Sequence, residues 1–341
     1  MTDMPTTETA PMDQTSTPSR HIAIAGTGRA GTSFLVRYLT ALGLDTTLAR
    51  NPDSTAWNED ANAGFEQELA TGVAGLMPYV VKSPWLFASI DQVLARKDIA
   101  LDAVIIPMRD LVEAAASRAI LERQAIHRAA PWMAESDLNW EAWGATPGGI
   151  LYSLNALDQA RLLAVGFHKL LERLVAAEIP VVFLSFPRFT EDAAYLFRVL
   201  RPLLPPDIDE ARAARVLAEL ADSAKVRVGD ELSGAQPQPQ GEVDKIYRYP
   251  SAETVDNIAL RRELTRLRHE ADSRDAILAQ TQAEVDELRL ERSRMEEEEE
   301  ESLRRQLDTV WRSRSWRLMQ PLRAMVTFAR RCRASGKPDS T

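Results

Sequence analysis

The stretch "HIAIAGTGRAGTSFLVRYLTALG", residues 21–43, decides how the rest of the chain is read. Ile22 to Ala25 is a short, continuous apolar run, the pattern of a strand covered on both faces. Gly26, Gly28 and Gly31 then punctuate a turn, and Thr32-Ser33 open a helix that runs toward Leu42. A glycine-rich turn between a strand and a helix exposes consecutive backbone N–H groups beside the positive end of the helix, which favours an anion. Loops that hold nucleoside triphosphates carry lysine after the last glycine. Here Thr32 stands in that place, and the nearest base is Arg29, before Gly31. The groups the loop offers an anion are therefore those of Gly28, Arg29, Ala30, Gly31, Thr32 and Ser33.

Short apolar runs recur beyond the loop at Tyr79–Lys82, Val104–Met108 and Val181–Ser185, separated by helical stretches at Leu111–Ala125 and Tyr152–Ala177. That alternation predicts an α/β domain of three layers, P-loop-type, around a central parallel sheet. The predicted organisation is a disordered segment over 1–20, this domain over 21–228, a Pro/Gln-rich linker over 229–252, a coiled coil over 253–312 and a basic amphipathic tail over 313–341. In the helical part, Leu260, Leu264, Leu267, Ala271, Leu278, Val285, Leu288 and Met295 share one heptad register. Arg274, Thr281 and Arg292 interrupt it, and Leu303, Leu307 and Val310 resume in a shifted register. This predicts a homodimer through 257–312 or a lone exposed helix. In the tail, Pro321 is placed as the first residue of a short helix with Leu322, Met325, Val326 and Ala329 on one face. Such a helix suits a membrane surface or a partner complex, through 313–333.

A net charge of −9 over 341 residues argues against a nucleic-acid partner. The single cysteine, Cys332, excludes a disulfide framework and a cysteine-based metal cluster. No apolar stretch reaches the length of a membrane span, and residues 1–20 lack the apolar core of a signal peptide. A cytoplasmic location is expected, with the tail at the inner face of the membrane if it binds lipid.

The stretch "AVIIPMRDLVEAAASRAI", 103–120, supplies a second candidate site. Arg109 follows a buried strand and Ser117 lies eight residues on, within the next helix. Ligands of open α/β sheets bind at the carboxyl ends of strands, so Arg109 falls on the edge that carries the glycine loop. Two separated anion sites suit a nucleotide phosphorylated at two places. The alternative is that Arg109 pairs with Asp110 or Glu113 and Ser117 only packs.

Taken together these residues resemble the sulfotransferases that use 3′-phosphoadenosine 5′-phosphosulfate (PAPS), in their bacterial, carbohydrate and protein-tyrosine branch. In that family the 5′-phosphosulfate loop reads basic-x-Gly-Thr-Thr/Ser, here Arg29-Ala30-Gly31-Thr32-Ser33. The 3′-phosphate is held by an Arg at a strand end and a Ser eight residues on, here Arg109 and Ser117. The resemblance covers roughly residues 21–205. "NAGFEQEL", 62–69, resembles the family's Asn-Pro-x-Gly-Tyr-x-Glu stretch but departs from it twice, with no proline after Asn62 and with Glu66 directly after Phe65, and "VVKSP", 80–84, resembles its strand-end Lys-Thr-Pro or Lys-Asp-Pro. Ala30 stands where many relatives carry serine, Leu111 where many carry proline, and Phe186-Pro187-Arg188-Phe189 replaces Tyr-Glu-Asp-Leu.

The resemblance implies PAPS as the donor and no metal, because fixed cations can neutralise the leaving phosphate. It implies Arg29 as that cation, Glu66 as the base and Lys82 as a bridge between base and sulfuryl group. Glu59, Asp60 and Glu68 compete with Glu66, and His127 is a further alternative. "RAAPWMAESDLNWEAWGATPGG", 128–149, with Trp132, Trp140 and Trp143, is placed against the acceptor, since tryptophan faces stack on sugars. "SRSWRLMQPLR", 313–323, resembles a tail of bacterial polysaccharide-assembly enzymes, with Met319 in place of threonine, and so implies a glycan or glycolipid acceptor. A kinase or NTPase, and a non-catalytic head on a coiled-coil scaffold, are the other classes considered.

Overall fold

The computed structural model describes residues 17–52, 57–129, 139–143, 148–221, 229, 231–232 and 249–334. Most of the expected disordered segment, Trp132, and most of the Pro/Gln-rich stretch lie outside them. Four strands form one parallel sheet: β1 (Ser19–Ile24), β4 (Val80–Lys82), β5 (Ile99–Met108) and β8 (Val181–Ser185), in the order β4-β1-β5-β8. The four predicted runs fall in these strands, but β1 begins at Ser19 and β5 at Ile99, ahead of the apolar runs that marked them. Two short antiparallel pairs stand apart from the sheet, β2 (Trp57–Asn58) with β3 (Ala63–Gly64), and β6 (Asn139–Trp143) with β7 (Leu151–Ser153).

The sheet is covered on both faces, and strand alternation sorts the core accordingly. Ile22, Ile24, Val80, Ile105 and Leu184 pack with α1 (Thr32–Ala41), α6 (Ala193–Leu200) and α7 (Glu210–Leu220). Their neighbours Ala23, Val81, Val104 and Ile106 pack on the opposite face. There they meet α3 (Leu86–Ala95), Ala115 of α4 (Leu111–Ala129), and α5 (Ala156–Ala176). A one-turn helix, α2 (Thr47–Arg50), joins α1 toward β4. The helix expected from Tyr152 begins at Ala156, because Asn155 accepts bonds from the N–H groups of Leu157 and Asp158 and caps it there. Tyr152 belongs to β7 instead.

The long helix α8 spans Ala252–Arg312, and α9 spans Arg314–Ala334. Ser251 caps α8, accepting from the N–H of Thr254 at 3.1 Å. The head extends further than the sequence suggests: one unit of the chain runs through Thr265 and the second from Arg266. Val255, Ile258 and Ala259 of α8 are buried with Leu232 against Ala116, Ala119 and Ile120 of α4. Around that contact, Asp256 accepts from Arg123 and His127, and Glu263 from Gln124 and Arg128. Pro321 lies inside α9 and does not begin it; Ser313 starts the helix by accepting from the N–H of Trp316 at 3.3 Å. No helix among the described residues is long and apolar enough to cross a membrane.

Candidate functional site

The carboxyl end of β1 enters the glycine loop, and the loop is forced into shape by what packs on it. Gly28 has φ +71°, and a methyl group there would lie 2.3 Å from the Gly148 carbonyl oxygen. Gly31 has φ +80°, and a methyl group there would meet the Phe189 ring at 2.7 Å. Both positions therefore demand glycine twice over, by conformation and by space. Between them Arg29 takes φ +55°, a left-handed conformation that a long side chain rarely adopts. Helices α5, α6 and α7 each begin with a capping Asn or Asp, whereas α1 begins at Gly31 with no side-chain cap. Among the described residues no side chain caps its first N–H groups, which lie beside the buried hydroxyls of Thr32 and Ser33.

The structure brings both candidate anion sites into one cluster. Arg29 Nε donates to Ser117 Oγ at 3.3 Å, and its Nη1 donates to the Ala61 carbonyl at 2.6 Å. The Arg29 carbonyl in turn accepts from Arg109 Nη1 at 2.8 Å. Arg109 also forms the ion pair that the sequence left as an alternative: Nη2 lies 3.0 Å from Glu113 Oε2. Ser117 does more than pack, since it is buried and holds Arg29. The Arg109 guanidinium lies 5.1 Å above the Phe186 ring. Phe186 and Phe189 thus support Arg109 and Gly31, a role hidden in the sequence because the segment read only as a departure from a motif.

The carboxyl end of β4 contributes a second group. Lys82 Nζ donates to Ser33 Oγ at 2.7 Å, to the Gly64 carbonyl at 2.8 Å and to Glu66 Oε1 at 2.6 Å. Its side chain is fully buried, and burial pushes its pKa down to about 8; the nearby Arg29 charge acts in the same direction and the Glu66 carboxylate against it. Glu66 is placed by main-chain pairing with Lys82 and by Phe65, whose φ of +68° turns the chain just before it. Trp57 packs tilted against Phe65 with ring centroids 5.5 Å apart, and Arg37 covers Trp57 at 4.0 Å.

The competing carboxylates are engaged elsewhere or exposed. Glu68 accepts from Trp85 Nε1 and Ser89, Asp60 pairs with Arg128 at 2.6 Å, and Glu59 is exposed. His127 sits at the α4–α8 contact with Asp256. Among the buried charges that escaped the sequence reading are Arg118 and Glu122 of α4, 3.4 Å apart. Burial holds the Arg118 pKa below its ordinary value, opposed by the charges of Glu122 and Glu66. Their i,i+4 spacing inside an alanine-rich run was the available signal. Ser83, next to Lys82, is buried with its hydroxyl unpartnered among the described residues. Ala30 is buried and carries no hydroxyl to offer.

Comparison with protein-family models, with curated proteins and with solved structures finds no match for this chain.

Proposed function

We propose that this protein is a sulfotransferase of P-loop type that moves a sulfuryl group from PAPS to a hydroxyl of a glycan or glycolipid. The observation that carries the reading is the pair of contacts made by Arg29. Its side chain reaches Ser117 and its carbonyl is held by Arg109, so the two candidate anion motifs lie together at the carboxyl edge of a parallel sheet, which supports reading them as one site. The uncapped start of α1 and the two obligatory glycines fit a phosphate-like group.

In this reading the loop N–H groups, Thr32, Ser33 and Arg29 hold the 5′-phosphosulfate, and Arg109 with Ser117 holds the 3′-phosphate. Arg109 would exchange its Glu113 partner for that phosphate, a stronger bidentate acceptor. When bound, the donor supplies the sulfuryl group and a phosphate leaving group. Glu66 accepts the proton of the attacking hydroxyl as the new O–S bond forms and the bond to the bridging phosphate oxygen breaks. Its Oε1 is held by Lys82, and no bond among the described residues engages Oε2. Lys82, still largely protonated at neutral pH, fixes that carboxylate and keeps positive charge beside the reacting oxygens. Arg29 stabilises charge on the leaving oxygen. The segment around Gly148–Gly149, which abuts Gly28, is where the acceptor would enter.

Calorimetry with adenosine 3′,5′-bisphosphate tests the reading. Binding is expected, and Arg109→Ala should weaken it by about 10- to 100-fold, the worth of charge-assisted hydrogen bonds, with far less effect on adenosine 5′-monophosphate. No binding of either bisphosphate or PAPS, or equal losses for both nucleotides, would sink the assignment. The Arg109–Glu113 ion pair also suits a head that binds no nucleotide, and that reading predicts the first of these negative results.

A further inference from the structure

Along α8 runs an apolar seam that lies outside every buried cluster of the described residues. Leu260, Leu264, Leu267, Leu278, Val285, Leu288 and Met295 are 36–66% exposed. Their spacing alternates four and three, with Ala271, Arg274, Thr281 and Arg292 in phase. Leucines at this spacing on one face of a helix are the seam of a two-stranded coiled coil, not a solvated face.

We propose that this seam pairs with a second copy of the chain, parallel and in register. In heptad terms Leu264, Ala271, Leu278, Val285 and Arg292 occupy a, and Leu267, Arg274, Thr281, Leu288 and Met295 occupy d. In a parallel pair each g residue faces the partner's e residue five positions on. Glu284 then faces the partner's Arg289, an opposite-charge pair. Two other facing pairs are acidic on both sides: Glu270 with the partner's Asp275, and Glu291 with the partner's Glu296. These are the two levels at which the core itself carries arginine, Arg274 and Arg292. Each arginine thus lies between a carboxylate of its own chain and one of the partner, and the excess of acid offsets the charge in the core. An antiparallel pair would instead face g with g, setting Glu270 against Glu298 and Glu284 against its own copy, and e with e, pairing Arg268 with Glu296 and Asp275 with Arg289; the self-cross-link at position 278 separates it from the parallel pair. Arginine stems can lie along a dimer seam with their heads in water, whereas three or more strands would bury them.

The test uses the full chain. Sedimentation equilibrium should give the mass of two chains, and Leu278→Cys in a Cys332→Ser background should cross-link to itself under mild oxidation. Asp275→Arg should weaken association about tenfold or more, because it sets a third cation beside each Arg274. Asp272→Arg, on the outward b position three residues earlier, should leave association unchanged. The proposal is overturned by a single-chain mass at micromolar concentration or by a mass of three chains or more. It is equally overturned if cross-linking requires mixing Leu278→Cys with Leu288→Cys chains, or if the two aspartate variants weaken association alike. Circular dichroism confirms that each variant keeps its helix, so a loss of association reads as a loss of pairing.

Discussion

Lys82 is buried where a cation is costly, and pH reveals how much. Its pKa falls from 10.5 to about 8 on folding. Between those values the unfolded chain binds more protons than the native one, so stability rises with pH across the window and the penalty is fully present below about 8. The shift corresponds to about 3 kcal/mol. Urea denaturation from about pH 8 to about pH 10 should show this rise in the wild type, and Lys82→Met should flatten it. Tyr38 and Tyr79, pushed up to about 12 chiefly by burial, act in the opposite direction, but only above the ordinary phenol range. The catalytic proposal adds a second expectation. Glu66→Gln should cut sulfuryl transfer by about 10²- to 10⁴-fold while leaving bisphosphate affinity within a few-fold, since a general base acts on the reaction and not on donor binding. A parallel loss of bisphosphate binding would remove Glu66 from that role.

At the scale of elements, the glycine loop and the segment after β8 act as one part. Gly31→Ala would place a methyl group 2.7 Å from the buried Phe189 ring at a φ of +80°. It should destabilise the head by about 2–4 kcal/mol, read by chemical denaturation. In a Phe189→Ala background most of the steric share of that loss should disappear, the Phe186 ring at 3.1 Å keeping the rest, and the conformational share of about 1 kcal/mol should remain. The sequence made the four sheet strands and the loop legible because each strand carries a short apolar run and the glycines sit at one turn. Arg109 and Lys82 stood out because each lies at or just after a strand end, Arg29 because it sits among the glycines of the loop, and Ser117 only by its spacing of eight from Arg109. What it hid depends on contacts between distant segments. Phe186 and Phe189 carry no mark of the loop they support. Val255, Ile258 and Ala259 are spaced like any amphipathic helix turn, so nothing local separates a face that docks on α4 from the seam that follows. Strands of two or three residues, such as β2, β3 and β7, are too short for periodicity to declare.

For the whole molecule, the junction of α4 with the first turns of α8 decides where the chain can be divided. Val255 and Ala259 are fully buried on Ala116, Ala119 and Ile120, and Arg128 reaches both Asp60 and Glu263. Val255→Asp would bury a carboxylate against alanines and should cost about 3 kcal/mol or more of head stability. Hydrogen exchange of the 252–265 amides should rise with it, and unchanged protection would show that this contact is not what holds those turns. A chain ended after residue 228 lacks the whole contact and should unfold at lower urea than one ended after residue 265. The consequence reaches inheritance. The Pro/Gln-rich stretch looks like the natural place for recombination to exchange one C-terminal half for another, yet a break there would strip the head of part of its own core. Lineages that swapped or lost the charged helix while keeping the head should have done so beyond Thr265, within the helix itself.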